Sequence, residues 1–174
     1  MNAIVIHRAT QENLPELRAI ADGMKSAKIV DYFEIGLERQ ALGKGYTLIL
    51  RYEDQPAGYC LLNWEPKYGF YRKLGIPEIQ DLNILPNFRR KGLATTLITH
   101  CEKLALDKGV TQMGISFGLD ASYGAAQRLY VKLGYVPDGN GVTYDRAAVN
   151  AGDFRPVDDD LCLMMVKDLA TTAT

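Results

Sequence analysis

Residues Arg89-Arg90-Lys91-Gly92-Leu93-Ala94 follow the strand-like run Ile79–Leu85 and open a long amphipathic helix. That arrangement suits an anion. A helix start leaves its first backbone N–H groups without intrahelical partners and carries partial positive charge, so a pyrophosphate placed there gains hydrogen bonds and favourable electrostatics together. Gly92 lets the backbone approach a phosphate, Ala94 keeps the helix entry uncrowded, and Arg89, Arg90 and Lys91 add fixed positive charge. Three adjacent basic residues also suit a solvated turn, so the context has to decide. A P-loop needs Gly-Lys-Ser/Thr, whereas the order here is Lys91-Gly92-Leu93. Gly43-Lys44-Gly45 begins a Gly-x-Gly, but Leu48 stands where a dinucleotide fingerprint needs its third glycine.

Other reactive side chains are few. Cys60, Cys101 and Cys162 are odd in number and each lies in an apolar pattern, as free buried thiols do in a reducing compartment. His7 and His100 are the only histidines and neither stands at metal-ligand spacing from a cysteine, so no metal site and no Ser-His-Asp device is expected. Asp158-Asp159-Asp160 reads either as a solvated turn or as a negative rim attracting a cationic amine. Tyr68, Phe70 and Tyr71, in the long stretch Glu65–Pro77, either add cation–π contacts to such a substrate or cover the core edge.

The elements that position these residues follow from periodicity. Ile4–Arg8 reads as a strand, and Thr10, Asn13 and Pro15 give helix-start chemistry ahead of Leu17, Ile20, Ala21 and Met24. A second helical pattern runs through Ile29, Tyr32, Phe33, Leu37 and Leu42. Tyr46–Tyr52 and Ala57–Trp64 make an antiparallel hairpin around Glu53–Pro56. The helix from about Gly92 to Asp107 carries Leu93, Leu97, Ile98, Cys101, Leu104 and Ala105 on one face. Val110–Leu119 is a strand, Ala125–Leu133 a short helix, and Tyr135-Val136 extended. A turn at Asp138–Gly141 precedes Val142–Tyr144, and Leu161–Val166 is the last strand. The order β-α-α-β-β-β-α-β-α-β-β predicts a mixed sheet covered by helices, an α/β or α+β architecture.

The chain of 174 residues with 47% hydrophobic composition can bury one substantial core, so one domain is expected over 1–170, with a frayed tail at 171–174. The formal net charge of −1 argues against non-specific nucleic-acid binding. No signal-peptide pattern and no run of about 18 apolar residues occurs, so no membrane partner and a cytoplasmic location are expected.

Two motifs together resemble the GNAT superfamily of acyl-CoA-dependent N-acetyltransferases, over essentially the whole chain. The first is Arg89-Arg90-Lys91-Gly92-Leu93-Ala94, similar to the family's Arg/Gln-x-x-Gly-x-Gly/Ala, after the strand end Asp81–Pro86. The second is Ala126-Gln127-Arg128-Leu129-Tyr130-Val131-Lys132-Leu133-Gly134-Tyr135, similar to the family's Ala-x-x-Leu-Tyr-x-Lys-x-Gly-Phe/Tyr helix. The resemblance implies a mostly antiparallel sheet with helices on both faces and a splayed parallel strand pair ending near Leu85 and Leu119. It implies acetyl-CoA as co-substrate, with pantetheine against the backbone of Leu82 and Ile84 and pyrophosphate on the N–H groups from Arg90 to Thr95. Tyr123 stands where the family often has an asparagine that helps hold the pantetheine arm.

The resemblance also assigns roles. Ile84's N–H would polarise the thioester carbonyl, and Tyr130 would protonate the departing thiolate or, on the other reading, serve as an amphipathic core tyrosine. For the base, Glu78 aligns with the glutamate of histone-type members, whereas polyamine-type members have a glutamate at Gln80 followed by an aspartate at Asp81. Glu78 is the selected base, and a β-bulge expected in this strand leaves its facing open. The implied function is acetyl transfer from acetyl-CoA to a primary amine of a small molecule or peptide, by a monomer or homodimer. The alternatives are a non-catalytic acyl-CoA-binding module and a structural partner-binding domain.

Overall fold

The computed structural model describes residues 3–26 and 28–169. The expected frayed tail, 171–174, lies outside them. The fold class is α/β, with eight β-strands and five α-helices among the described residues. The described residues fall into two compact units, one within 3–64 and 79–103 and the other within 65–78 and 104–169.

In the first unit, strand β1 (Ile4–Arg8) pairs antiparallel with β2 (Gly45–Tyr52), which pairs antiparallel with β3 (Gln55–Asn63). The β2–β3 turn is only two residues long. Glu53 and Asp54 both have positive φ (50° and 61°), the signature of the primed turns whose twist matches that of paired strands. The sequence placed Gln55 and Pro56 in that turn; both belong to β3 instead, and the register slips between Leu50 and Arg51. Helix α1 (Leu14–Gly23) begins with a proline in its first turn, where the missing N–H has no intrahelical partner to lose. Its Leu17, Ile20 and Ala21, at helical spacing, pack with Phe33 and Leu37 of α2 (Tyr32–Ala41) and with Ile49 and Tyr59 of the sheet. Cys60 and Cys101 are buried free thiols with sulfurs 3.7 Å apart, as the sequence predicted for its cysteines.

In the second unit, β5 (Gln112–Gly118) pairs with β8 (Leu161–Asp168), β8 with β6 (Val136–Tyr144), and β6 with β7 (Ala147–Ala148), all antiparallel. The expected turn at Asp138–Gly141 is an irregularity inside β6, where the register to β8 shifts between Pro137 and Val142. The stretch Glu65–Pro77 also differs from the expected loop. It contains helix α3 (Gly69–Leu74), and Tyr71 is wholly buried, with its hydroxyl donating to the Met165 carbonyl. Tyr68, Tyr71, Ile76, Cys162 and Met164 form one core cluster, so Tyr68 and Tyr71 cover the core rather than a substrate. Gly114 makes this possible, since a Cβ there would lie 2.3 Å from the Tyr71 ring.

Candidate functional site

The anion loop belongs to the first unit. Strand β4 (Glu78–Ile84) ends at Ile84, and Leu85 N–H donates to Ala57 O at 2.8 Å. A 3-10 turn at Pro86–Phe88 follows, and Arg89 is extended (φ −66°, ψ 163°). Arg90 and Gly92 both have positive φ, 61° and 77°. Positive φ on either side of Lys91 is the turn-type geometry by which short backbone runs make anion-binding concavities. Helix α4 (Leu93–Asp107) starts at once, and Thr96 returns both its N–H (3.0 Å) and its hydroxyl (3.1 Å) to the Gly92 carbonyl. The N–H groups of Leu93, Ala94 and Thr95 therefore precede the helical ladder, in the position that suits a phosphate.

The basic side chains divide the work differently from expectation. Arg89 Nε donates to the Ile84 carbonyl at 3.2 Å, which ties the loop back to the end of β4. Lys91 Nζ sits 5.2 Å from the centre of the Tyr52 ring, and Arg90 is exposed. Leu93, 2% exposed, anchors the helix in the core through its side chain, leaving its N–H as its contribution to an anion.

Strand β4 carries the expected irregularity at Asp81, whose φ of 49° is left-handed for a non-glycine residue. Its carboxylate is a hub. Oδ1 accepts from Lys28 Nζ (2.8 Å) and Asn83 Nδ2 (2.7 Å), and Oδ2 from the hydroxyls of Tyr32 (2.9 Å) and Tyr59 (2.8 Å). Burial first, then the Asp81 charge, pushes the Tyr59 hydroxyl far above its ordinary value, so it stays a donor. Asp81 thus fastens the segment between α1 and α2 to β4. Leu82 beside it is half-buried, and Ile84 is 8% exposed.

Glu78, at the other end of β4, is wholly buried. Its Oε1 pairs with Arg146 Nη2 at 3.0 Å and accepts from Ser116 Oγ at 3.4 Å. Burial is the largest influence on the Arg146 charge and opposes it, but the Glu78 carboxylate, by charge and hydrogen bond, together with Cys162 and Tyr71 more than offsets it and holds the guanidinium above its usual range. Neither carboxylate picked as a proton acceptor stands free: both are committed to donors, and removing those of Glu78 would strand a fully buried charge.

Tyr130 lies on α5 (Gly124–Lys132), 6% exposed, with its ring 6.3 Å from Phe117 and 6.3 Å from Tyr135. Gln127 Nε2 of the same helix donates to the Gly118 carbonyl at 3.1 Å, which holds α5 on the end of β5. Tyr123, just before α5, donates its hydroxyl to Asp159 Oδ1 at 2.7 Å. Burial and that bond raise its pKa. Tyr144 similarly donates to Asp158 at 2.8 Å, and Asp160 N–H donates to Asp158 Oδ1 at 3.0 Å. The acidic run is therefore a turn in which Asp158 and Asp159 accept from two tyrosine hydroxyls, with all three aspartates exposed.

Several of these partners were invisible in sequence. Lys28, Tyr32 and Tyr59 lie 53, 49 and 22 residues from Asp81 and share no motif with it. Arg146 sits in a turn with φ of 66° and no periodic signal. Among the described residues, no group of three or more His, Cys, Asp or Glu could hold a metal ion, and no helix is long and apolar enough to cross a membrane.

Comparison with known proteins fits this geometry. The model of the acetyltransferase (GNAT) family matches residues 12–135, which include the anion loop, both carboxylates and Tyr130. The chain is 32% identical over 117 residues to GCN5-related N-acetyltransferase 4, chloroplastic, of Arabidopsis thaliana, covering 63% of this chain and 38% of that protein. It spans little more than a third, 36% and 38%, of the two curated relatives it matches. Among solved structures, the ribosomal-protein-alanine N-acetyltransferase of Brucella melitensis superposes with a TM-score of 0.67 at 22% identity, over 95% of this chain and 99% of that one. Arabidopsis thaliana Naa50, in complex with the bisubstrate analogue CoA-Ac-MVNAL, superposes with a TM-score of 0.67 at 14% identity, over 95% of this chain and 98% of that one. A family match over more than half the chain, with the fold of solved N-acetyltransferases, establishes that this chain belongs to the acetyltransferase (GNAT) family.

Proposed function

We propose that the protein is an acetyl-CoA-dependent N-acetyltransferase that passes the acetyl group directly to a primary amine of a small molecule or peptide. The observation that carries this reading is the family match across residues 12–135, spanning the loop Arg89–Thr95 and Tyr130. Structural neighbours that cover 95% of the chain support reading 1–170 as one domain. Three free cysteines support a reducing, cytoplasmic setting.

The loop fits a pyrophosphate on its own evidence: two positive-φ residues, an open helix start and an exposed arginine. Acetyl-CoA supplies the activated thioester. On this reading the N–H groups from Arg90 to Thr95 hold the pyrophosphate, and the backbone of Leu82 and Ile84 pairs with the pantetheine. The Ile84 N–H stabilises charge growing on the carbonyl oxygen, a preorganised dipole that needs no rearrangement during the reaction. Tyr130 gives its proton to the thiolate as the carbon–sulfur bond breaks. The ammonium proton leaves to water, because Glu78 and Asp81 already accept from fixed donors; both act by holding β4 in shape. Tyr123 contributes to the coenzyme arm by bracing the start of α5 through Asp159.

Incubating the purified chain with acetyl-CoA and a panel of amines, and following thiol release with the mass of the product, tests the reading. Acceptor-dependent thiol release and a 42-dalton-class acetyl adduct on the amine are expected. Stabilisation by coenzyme A without thiol release from any amine would leave an acyl-CoA-binding module instead.

A further inference from the structure

A cavity of about 280 Å³ lies within the first unit, between α2 and the strands β2, β3 and β4. A dry protein cavity of about 150 Å³ is already large enough to take up benzene. Ile29, Ile35 and Leu61 give the cavity apolar walls, and Tyr32 and Tyr46 add two aromatic residues to the lining. Ile29 and Ile35 remain 67% and 44% exposed, so the wall opens to solvent rather than being sealed in the core. Gly36 lines it as well, and the absence of a side chain there leaves room between helix and sheet: a Cβ would already lie 2.9 Å from Thr47 Oγ1.

The polar side chains of the lining are already engaged with the protein. Arg39 Nη2 donates to Asn63 Oδ1 at 2.7 Å, Asn63 Nδ2 reaches Gln80 Oε1 at 3.4 Å, and the Tyr32 hydroxyl donates to Asp81 Oδ2 at 2.9 Å. Tyr46 carries the Arg8 guanidinium 3.7 Å from its ring centre. The lining strand segments, Gly45-Tyr46 and Leu61–Asn63, are paired with each other in the β2–β3 register. A guest that brought a charge or a hydroxyl into this cavity would give up water and meet groups that already have partners, which is the costly way to bury a polar atom. An apolar guest gives up nothing polar, and it removes both its own surface and the isoleucine wall from water.

We propose that this cavity takes an uncharged, bulky apolar group, of the size of a six-carbon chain or a phenyl ring, against Ile29, Ile35 and Leu61. Resting on the acetyltransferase reading, that group is the non-reacting end of the acceptor. Gln80, which lines the cavity, belongs to β4, the strand that holds the pantetheine on that reading. The substrate is then an amine with a hydrophobic body rather than a polyamine or a sugar amine. Discrimination comes from what the cavity fails to offer, since a second ammonium or hydroxyl would be buried there without a new partner.

The first measurement needs no donor: NMR chemical-shift titration of the whole protein with 1-propanol, 1-butanol, 1-hexanol, 1,6-hexanediol and 6-amino-1-hexanol. Affinity should climb by about fourfold per added methylene from propanol to hexanol. Hexanol should bind at least about tenfold more tightly than the diol or the amino alcohol, each of which would bury a polar end. Its shifts should centre on α2 and β3. Ile29→Ser and Ile35→Ser, at exposed positions where packing has little to lose, should each weaken hexanol binding. A flat chain-length series, a diol or amino alcohol that binds as well as hexanol, shifts that centre elsewhere, or hexanol affinity unchanged in both variants would overturn the proposal. The wild-type series alone decides it should a variant not fold. With acetyl-CoA present, hexylamine is compared with 1,6-diaminohexane, and the peptide Leu-Leu-Gly with Ser-Ser-Gly. The apolar member of whichever pair turns over should have the higher kcat/KM by at least about tenfold, and the pair itself tells a small-molecule source from a peptide one. Preference for the polar member would overturn the assignment to the acceptor. Hexanol binding without thiol release from any amine would remove the enzyme reading and leave the pocket standing; thiol release without hexanol binding would remove only the pocket.

Discussion

Glu78 and Arg146 form a 3.0 Å ion pair in which the carboxylate has no exposed surface at all. A fully buried carboxylate is tolerable only while its partner stays. The pair therefore governs how β4 begins, and it does so through a residue that no local pattern connects to the strand.

Arg146→Ala should destabilise the protein by about 3–5 kcal/mol, the usual cost of stranding one member of a buried pair. Arg146→Ala combined with Glu78→Gln should recover part of that loss, because no full charge is then left buried. Urea unfolding midpoints of the wild type and the two variants give the measurement. A single-variant loss below about 1 kcal/mol would place the pair among ordinary surface contacts.

At the anion loop, conformation and charge can be separated. Gly92 has φ of 77° with nothing within 4 Å of where a Cβ would stand, so Gly92→Ala should cost about 1 kcal/mol through backbone strain alone and should weaken coenzyme A binding. Arg90→Gly, at φ of 61°, relieves comparable strain while deleting an exposed charge, so it should lower coenzyme A affinity without lowering stability. Thermal midpoints with and without coenzyme A read both effects.

Tyr130→Phe removes one hydroxyl from a ring held between Phe117 and Tyr135, so packing should survive. We expect kcat to fall by about 10²-fold with the KM for acetyl-CoA nearly unchanged, the low end of general-acid effects. Full activity in this variant would make the residue a core tyrosine and move the proton donor to water.

His100 gives stability a pH dependence with a definite sign. Burial first, then Lys103 and Arg8, lowers its pKa below 6.5. Between that lowered value and 6.5 the unfolded chain binds the proton more readily than the folded one. The stabilising contribution of this group is therefore present above pH 6.5 and is lost as pH falls toward the folded value. Melting temperatures measured from pH 5 to 8 should slope downward on acidification, and His100→Gln should flatten that part of the slope. An unchanged profile in the variant would assign the slope to other groups.

Local patterning carried much of the fold. Helix spacing in Leu17, Ile20 and Ala21 and the long stripe from Leu93 to Ala105 depends only on neighbours three or four residues away, and those elements appear where expected. The loop Arg89–Ala94 was legible for the same reason: a basic turn, a glycine and a helix start are contiguous in the chain. Strand edges were read less well. Gln55 joins β3 because consecutive positive φ values at Glu53 and Asp54 close the hairpin in two residues, a choice of turn hand that residue type alone does not force.

The fate of the polar candidates was settled by long-range register. Asp81 receives Lys28, Tyr32 and Tyr59 only once the segment before α2 and strand β3 are laid beside β4. Glu78 finds Arg146, and Asp159 finds Tyr123, across comparable separations along the chain. Tyr71 looked like a loop aromatic until Gly114 left space for its ring. Residue types and local spacing specify which elements form and which contiguous loop can hold an anion. Whether a carboxylate is a free base or a committed acceptor depends on side chains brought together by packing, where burial makes an unpaired charge too costly to leave and so selects the partner.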